Sequence, residues 1–250
     1  MEQQIRVAVA GANGRMGQEV VTMLGQDKQL VYVGALDTRG EDEAIRARLE
    51  EMKPDVLVDF TTPHSVYRHL EICLQHGIRP VVGTTGLSQD EIQEMTRRFG
   101  EAGLGCIVAP NFAIGAILCM KFAAMAAKYM PHVEIIELHH DRKLDAPSGT
   151  ALKTAEMIAA VREEIKQGHP EEKETIPGAR GAEYEGFRIH SVRLPGMVAH
   201  QEVLFGATGQ TLSIRHDSIN RESFMPGVNM AIKAVMNMNG FLYGLEHLID

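Results

Sequence analysis

Apolar and polar positions alternate in blocks through the first 110 residues of the chain. Short runs rich in Val, Ile and Leu are typical of buried strands, and the stretches between them repeat apolar residues at helical spacing. The strands are expected at 5–10, 30–36, 54–60, 79–83 and 105–109. The helices are expected after the first strand and at 41–53, 61–77 and 89–99. This alternation predicts a parallel sheet with helices on both faces.

The second half of the chain has a different pattern. A helix rich in Ala and Met is expected at 111–130, followed by a buried strand at 133–140. Three later runs alternate apolar and polar residues and are separated by short glycine-containing turns, as is typical of antiparallel strands. These runs lie at 187–194, 197–206 and 210–217. With the strand before them, they predict a mixed, mostly antiparallel sheet in an α+β domain.

The two patterns predict two domains. The α/β domain is expected to comprise residues 1–110 and to be completed by residues 220–250, where a helix at 226–243 would pack on the first sheet. The second domain is expected at 111–219. Its segment 167–185 is polar and interrupted by Gly and Pro, so we expect a long excursion there.

The overall composition is that of a globular protein with an acidic balance. With 250 residues and 44% hydrophobic side chains, the chain can bury a sizeable core. The formal net charge of −8 argues against a nucleic-acid-binding protein, which usually carries a basic excess. No apolar run reaches membrane-spanning length, and the N-terminus has no signal-peptide core. Three cysteines in apolar surroundings suit a reducing compartment, so we expect a cytoplasmic protein without nucleic-acid or membrane partners.

A glycine-rich turn joins the first strand to its helix. Gly11, Gly14 and Gly17 are spaced Gly-x-x-Gly-x-x-Gly. Such a turn lets the backbone approach a pyrophosphate lying on the helix N-terminus, although similar turns also occur without a ligand. The strand–turn–helix context favours a Rossmann-type site for NADH or NADPH. The candidate cofactor contacts here are Gly11, Ala12, Asn13, Gly14, Arg15 and Met16.

Two charged residues follow the second predicted strand. Asp37 stands about where an acidic residue binds the ribose hydroxyls of NAD. Arg39 is placed to meet the 2′-phosphate of NADP instead. Both are also ordinary polar residues to find after a strand. Because the chain has both, the choice of coenzyme stays open.

Further candidate cofactor contacts follow the other strands of the parallel sheet. Ligands of such sheets bind beyond the carboxyl ends of the strands. The segments at these ends are Gly-Thr-Thr-Gly and Ala-Pro-Asn-Phe, with Thr61 and Thr62 at a third end; plain turns use the same residue types. The candidates are Gly83, Thr84, Thr85, Ala109, Pro110, Asn111 and Phe112.

The segment 137–150 carries the densest set of reactive side chains. It holds the adjacent histidines His139 and His140, then Lys143 and a Pro-Ser-Gly-Thr turn, which starts a helical pattern extending to Ile165. The helix start offers free backbone N–H groups to an anion such as a carboxylate. Lys143 adds a positive charge, and histidines exchange protons near neutral pH. Singly these are surface residues and a capped turn; together they favour a reactive site.

The same segment closely resembles the signature of the dihydrodipicolinate reductase family, also called the 4-hydroxy-tetrahydrodipicolinate reductases. The family pattern is Glu-x-His-His-x-x-Lys-x-Asp-x-Pro-Ser-Gly-Thr. Its fixed positions are all met, by Glu137, His139, His140, Lys143, Asp145, Pro147, Ser148, Gly149 and Thr150. The resemblance includes the glycine-rich turn, the two later loops and the C-terminal segment, so it extends over nearly the whole chain.

The resemblance implies an oxidoreductase of lysine and diaminopimelate biosynthesis. Such an enzyme reduces 4-hydroxy-tetrahydrodipicolinate, by way of dihydrodipicolinate, to tetrahydrodipicolinate with NADH or NADPH. His139 is then the candidate proton donor or acceptor and Lys143 the second donor. His140, Gly149 and Thr150 are expected to bind a carboxylate of the small cyclic dicarboxylate substrate. The family also implies a homotetramer, which the sequence itself does not show.

The chain departs from the family after Arg39. Relatives usually carry a longer segment with an additional short strand, whereas this chain has only the charged stretch 41–53. The difference falls on the adenosine end of the cofactor site. Two other classes of function stay open: a different two-domain dehydrogenase acting on an amino or semialdehyde acid, and a dinucleotide sensor without turnover. No metal site is expected, because neither a His-Glu-x-x-His nor a Cys-x-x-Cys pair is present.

Overall fold

The computed structural model describes residues 4–37 and 40–249 of the chain. In chain order its strands are β1 (Ile5–Ala10), β2 (Leu30–Leu36), β3 (Val56–Asp59), β4 (Arg79–Val82), β5 (Gly105–Val108), β6 (His132–His139), β7 (Ala182–Tyr184), β8 (Phe187–Arg193), β9 (Ala199–Ala207), β10 (Gln210–Ser218) and β11 (Gly240–Tyr243). Its α-helices are α1 (Arg15–Gln26), α2 (Asp42–Met52), α3 (Val66–His76), α4 (Gln89–Ala102), α5 (Ile114–Ala127), α6 (Gly149–Ala159) and α7 (Met225–Val235). Short 3-10 helices lie at Arg221–Phe224 and Leu245–Leu248.

The chain folds into two units. The first comprises residues 1–113 and 221–250, and the second comprises residues 114–220. Each unit has one sheet and a core of its own. None of the described helices has both the length and the apolar content needed to cross a bilayer.

The sheet of the first unit has six strands in the order β11-β5-β4-β3-β1-β2. All neighbouring strands are parallel, as predicted. On one face, Ala8 and Leu57 pack with side chains of α2 and α3. Val7 and Val9 point to the opposite face and are also fully buried, so the sheet is covered on both sides. The carboxyl ends of β1, β2, β3 and β4 therefore meet at one edge of a rigid layer.

The end of the chain corrects one prediction. The helix expected at 226–243 ends at Val235, and Gly240–Tyr243 forms β11 beside β5. Gly240, the first residue of β11, adopts a φ of +96°, which favours glycine. Its N–H donates to the carbonyl of Leu104 at 3.1 Å, and Phe241 then packs on Phe99 with ring centroids 6.3 Å apart.

The second unit has a five-stranded sheet in the order β10-β9-β6-β8-β7. Of the described strand pairs in this sheet, only β6 and β8 are parallel, so the predicted mixed, mostly antiparallel sheet is confirmed. Of the three later runs, β9 and β10 form an antiparallel hairpin, whereas β8 and β9 do not pair with each other. β8 and β9 point in opposite directions, but β6 lies between them and pairs with both. The Pro195-Gly196 turn thus carries the chain across β6, which local sequence spacing did not reveal.

Helices α5 and α6 cover one face of this sheet. Ala123, Ala155 and Ile158 of the helices share a core with Ile135 and Phe205 of the strands.

The helical pattern that was predicted to reach Ile165 ends instead at Ala159. Just beyond it, the Arg162 guanidinium donates to the carbonyls of Pro131, Glu185 and Ile165 at 2.5–2.9 Å. It also stacks on the Phe187 ring at 5.2 Å. Arg162 thus fits the helical repeat in the sequence but lies outside the helix, where it connects the loop after α6 to the sheet.

Candidate functional site

The glycine-rich turn has the geometry that a nucleotide-binding turn requires. Gly11 adopts a φ of +78°, and a Cβ atom there would lie 2.5 Å from the carbonyl oxygen of Phe60. A Cβ atom on Gly17 would lie 2.1 Å from the carbonyl oxygen of Gly11. Helix α1 begins at Arg15 with no side-chain cap and no acidic residue in its first turn. Its N-terminal N–H groups therefore suit an anion such as a pyrophosphate.

A cavity of about 420 Å³ opens at this turn. It is lined by Gly11, Ala12, Asn13, Gly14, Ala35, Leu36, Asp37, Thr61, Thr62 and Ser65. The structure thus brings the glycine turn and Asp37 together at the ends of β1, β2 and β3. Arg15 and Met16 open α1 beside it. Arg39 lies outside the described residues. The cavity, its glycine wall and the acidic residue fit the phosphate and ribose of a dinucleotide.

The loops after β3, β4 and β5 lie against one another through aromatic packing. A Cβ atom on Gly83 would lie 2.0 Å from the Phe60 ring, so only glycine fits this approach. The Phe60 and Phe112 rings are 5.9 Å apart. Ala109 and Phe112 are buried, and the N–H of Ala109 donates to Val82 at 2.9 Å.

The other residues predicted at these ends are less buried. Thr85 and Pro110 are exposed, whereas Thr84 and Asn111 are half-buried. Asn111 accepts a hydrogen bond from the N–H of Ala113 at 2.8 Å through its side-chain oxygen. The turn at the end of β5 is therefore held by its own side chain before any ligand binds.

A buried carboxylate below these loops had no role in the sequence prediction. Asp59 ends β3 fully buried and accepts hydrogen bonds from the N–H and hydroxyl of Thr61 at 2.8 and 2.6 Å. The Thr84 hydroxyl lies 3.5 Å away. On its other side, Asp59 Oδ2 is 2.6 Å from Nδ1 of His69, which is also buried. The sequence signal was an acidic residue closing an otherwise apolar strand.

A second buried carboxylate lies in the second unit, at the end of β6. Glu137 has no exposed surface. It accepts hydrogen bonds from Nδ1 of His139 at 2.5 Å, from both terminal nitrogens of Arg193 at 2.7 and 2.8 Å, and from the N–H of Ser148 at 3.2 Å. Burial opposes ionisation, but the hydrogen bonds from His139, Arg193 and Ser191 outweigh it and lower the pKa of Glu137 to about 2.

The contact with Glu137 fixes the tautomer of His139. An ionised carboxylate only accepts hydrogen bonds, so the hydrogen between the two groups belongs to Nδ1 of the imidazole. No other hydrogen bond to the His139 ring is made by the described residues, so Nε2 has no partner among them. The side chain is 14% exposed, so this nitrogen sits in a partly dry setting. β6 ends at His139, and His140 follows it as an exposed residue.

Lys143 lies in the loop that follows. Its ammonium group donates to Asp145 at 2.8 Å, and this contact is the main reason that the pKa of Asp145 is lowered. The backbone N–H of Lys143 donates to the carbonyl of His140 at 3.2 Å and closes a turn. The loop therefore carries a positive charge three residues after His140 in the chain.

Helix α6 starts at the end of this loop. Ser148 caps it by accepting from the N–H of Ala151 at 3.2 Å. Gly149 is the first helical residue, and nothing lies within 4 Å of where its Cβ atom would be. Thr150 is half-buried beside it, and the first turn contains no acidic residue. This open, uncharged helix start is suited to a carboxylate.

The two units together define the class of two-domain, nucleotide-dependent oxidoreductases: a Rossmann-type unit joined to a mixed-sheet unit that carries an acid–imidazole pair. Family models described as dihydrodipicolinate reductase, N-terminus and C-terminus, match residues 5–112 and 115–249. The chain therefore belongs to the dihydrodipicolinate reductase family, as the signature at 137–150 predicted.

Curated relatives support this family assignment over nearly their full length. The chain is 56% identical to the 4-hydroxy-tetrahydrodipicolinate reductase of Bacillus pumilus, covering 99% of both chains. It is 55% identical to the protein of the same name from Bacillus subtilis, covering 98% of each. The first alignment extends over 264 positions, more than the 250 residues of this chain, so the relative has residues without a counterpart here.

Solved structures give the same result. The dipicolinate-bound dihydrodipicolinate reductase from Paenisporosarcina sp. TG-14 is 50% identical, with a TM-score of 0.91 over 99% of this chain and 100% of that one. The amine dehydrogenase of Mycobacterium smegmatis has a TM-score of 0.63 at 15% identity, covering 98% of this chain and 96% of that one. At that identity the second likeness concerns the fold alone.

Proposed function

We propose that the chain reduces 4-hydroxy-tetrahydrodipicolinate, by way of dihydrodipicolinate, to tetrahydrodipicolinate with NADH or NADPH, in lysine and diaminopimelate synthesis. The observation that carries this proposal is the Glu137–His139 pair, 2.5 Å apart, in a chain that is 56% identical to a named reductase. A dinucleotide sensor without turnover would not need a buried acid that fixes the tautomer of an imidazole.

The first unit would hold the nucleotide, which supplies the hydride when bound. The glycine turn would approach the pyrophosphate, and the N-terminus of α1 would stabilise its charge. Asp37 would bind ribose hydroxyls and Arg39 a 2′-phosphate, so coenzyme choice depends on the balance between these two. The loops of Gly83–Thr85 and Ala109–Phe112 would contact the nicotinamide end.

The second unit would handle the protons. With Nδ1 tied to Glu137, His139 exchanges its proton through Nε2, and the ionised Glu137 stabilises the imidazolium form. Lys143 is the second proton donor and supplies positive charge toward the ring nitrogen or a carboxylate. Asp145 accepts a hydrogen bond from the Lys143 ammonium at 2.8 Å and would orient it.

The substrate carries two carboxylates, and the second unit offers places for them. The N–H groups of Gly149 and Thr150, the Thr150 hydroxyl and the exposed His140 would bind one carboxylate at the start of α6. The relative from Paenisporosarcina is described as dipicolinate-bound, and dipicolinate is a planar ring with two carboxylates. Its 50% identity to this chain supports the same substrate class here.

The activity is tested by following oxidation of NADH and of NADPH while the dihydrodipicolinate-forming enzyme supplies the substrate. We expect turnover with at least one coenzyme and inhibition by dipicolinate. Nucleotide binding without turnover would favour the sensor, and turnover only with amino or semialdehyde acids would favour a different dehydrogenase. Either outcome would overturn the proposal.

A homotetramer in the cytoplasm belongs to the same proposal. Ile136, Leu138 and Leu204 lie on the sheet face opposite α5 and α6 and are not buried within one chain. Apolar side chains on such a face favour a contact between copies. Sedimentation at micromolar concentration should give the mass of four 27.5 kDa chains, whereas a monomer would contradict this part.

A further inference from the structure

We infer that Arg193 is a positioning residue of this reaction, because one guanidinium group holds both proposed proton donors, His139 through Glu137 and Lys143 through Asp145. The inference rests on the proposed function, in which these two groups act on the substrate. Arg193 is the last residue of β8 and has no place in the signature at 137–150.

The first contact of Arg193 is bidentate. Its two terminal nitrogens donate to the two oxygens of Glu137 at 2.8 and 2.7 Å. β8 pairs in parallel with β6 so that Arg193 stands directly beside His139. A planar fork on a neighbouring strand fixes the plane of the carboxylate. Because Nδ1 of His139 donates to an oxygen of that same carboxylate, the plane of Glu137 sets the direction of the imidazole.

The second contact reaches the loop. One terminal nitrogen of Arg193 also donates to the backbone carbonyl of Asp145 at 2.7 Å. The side chain of Asp145 accepts from the Lys143 ammonium at 2.8 Å. The loop is otherwise mostly exposed, so this bond anchors the segment that carries Lys143 to the end of the sheet. A lysine at position 193 would keep the charge but could not make all three contacts.

Arg193 also sets the charge that His139 faces. The groups that strand pairing and hydrogen bonding place beside the Glu137–His139 pair are Arg193 and Ser191 of β8, Ala199 and Gln201 of β9, and the backbone N–H of Ser148. Arg193 directly shares the Glu137 carboxylate with His139. Without it, the buried Glu137 carboxylate would face the imidazole with its negative charge no longer shared by a guanidinium group.

A second arginine–glutamate pair involves β6, the strand that carries Glu137. Its removal serves as a control, because it tests whether the loss of any such pair lowers activity by lowering stability. Arg180 contacts Glu134 of β6 with both terminal nitrogens, at 2.6 and 3.4 Å. Glu134 is an odd number of residues from Glu137 and points to the other face of the sheet, away from His139. Arg180→Gln therefore removes a comparable arginine–glutamate pair without touching the proposed site.

The experiment compares Arg193→Lys, Arg193→Gln and Arg180→Gln with the unchanged protein. We expect both Arg193 variants to lower kcat on the order of 10²-fold, as small displacements of reacting groups do, with unchanged KM for the nucleotide. The Nδ1–H proton of His139, followed by NMR in histidine-labelled protein, should change its chemical shift in both Arg193 variants, because the carboxylate that accepts it is no longer held in one plane. It should keep its original chemical shift in Arg180→Gln.

The outcomes are distinguishable. If the unchanged protein turns over substrate and Arg193→Lys keeps its kcat, the inference about Arg193 is wrong and the proposed function stands. If the unchanged protein shows no turnover, the proposed function falls, and the Nδ1–H signal still reports whether Arg193 orients His139. An unchanged Nδ1–H chemical shift in a folded Arg193→Gln would overturn the inference directly. Arg193→Lys, which keeps the charge beside Glu137, guards against loss of folding.

Discussion

Nδ1 of His69 lies 2.6 Å from Oδ2 of Asp59, and both side chains are sealed from solvent inside the first unit. The other oxygen of Asp59 orients Thr61 and lies near Thr84, in loops proposed to bind the nucleotide. Burying polar and charged groups such as Asp59 and His69 costs free energy. We therefore attribute to this pair a role in fixing the geometry of the loops above it. Helix α3 thereby supports the nucleotide loops from below.

Asp59→Ala should weaken nucleotide binding and stability together. The change leaves Nδ1 of His69 without its partner and the Thr61 hydroxyl with only Ser65, and we expect the free energy of unfolding to fall by about 3 kcal/mol. The Kd for NADH, measured by its fluorescence enhancement, should rise about tenfold, the equivalent of one such hydrogen bond. Asp27→Asn, which removes the negative charge of the half-buried Asp27–Lys233 pair, is the control and should leave the Kd unchanged. Equal Kd values for Asp59→Ala and the unchanged protein would refute the support role.

Substitution of the proposed proton donors should separate turnover from binding. His139→Gln and Lys143→Met should each lower kcat by roughly 10²- to 10⁴-fold, the usual contribution of a positioned acid or base. The KM for the nucleotide should not change, because both residues lie in the second unit. Steady-state kinetics with the coupled substrate supply is the measurement. Full activity in both variants would refute the assigned roles.

Gly83→Ala should abolish the close approach between two loops of the proposed nucleotide site. Its Cβ atom would lie 2.0 Å from the Phe60 ring, so the ring or the loop must move. We expect a rise in the Kd for NADH and a lower melting temperature. Gly25→Ala is the matched control, because nothing lies within 4 Å of that position in α1. It should stabilise the protein by about 0.5–1 kcal/mol and leave NADH binding alone.

The low pKa of Glu137 predicts a pH dependence of stability. Its value falls from the ordinary 4.5 to about 2 on folding, so the unfolded chain binds more protons between these values. The resulting stabilisation is complete above about pH 4.5 and is lost as pH falls through about 2. Urea unfolding of Glu137→Gln across this range should show a flatter pH dependence than the unchanged protein.

Asp27 provides the control for that experiment. Hydrogen bonds from Lys233 and Asn229 lower the pKa of Asp27 from 3.8 to about 2. Asp27→Asn should therefore also reduce the pH dependence of the free energy of unfolding in this range, but it should retain kcat. Glu137→Gln should reduce the pH dependence and also lower kcat. If Glu137→Gln kept the full pH dependence, the pairing of Glu137 with Arg193 and His139 in solution would be contradicted.

The sequence predicted most of the fold because the strands of the first sheet are continuous apolar runs. The exceptions follow from contacts between distant residues. β11 is only four residues long and gains its partners from β5, more than a hundred residues earlier. β8 and β9 are separated by β6, and no local spacing encodes that insertion. Arg162 fits a helical repeat, yet its partners are carbonyl groups of remote loops.

The candidate site divides in the same way. The glycine turn and the segment 137–150 are contiguous in sequence, so their residues could be proposed directly. Arg193 and His69 act through partners 56 and 10 residues away, respectively. Their roles depend on strand register and on the packing of α3, which single-sequence reasoning does not give. A charged residue at the end of an apolar strand, as at Asp59, was the signal that was present.

The placement of β11 has a consequence for biosynthesis. The sheet edge formed by β5 is covered by β11, which is synthesised only after the entire second unit. Until then β5 keeps an open edge of the kind that recruits foreign strands. Nascent chains stalled before residue 240 should therefore be the ones that chaperones hold longest.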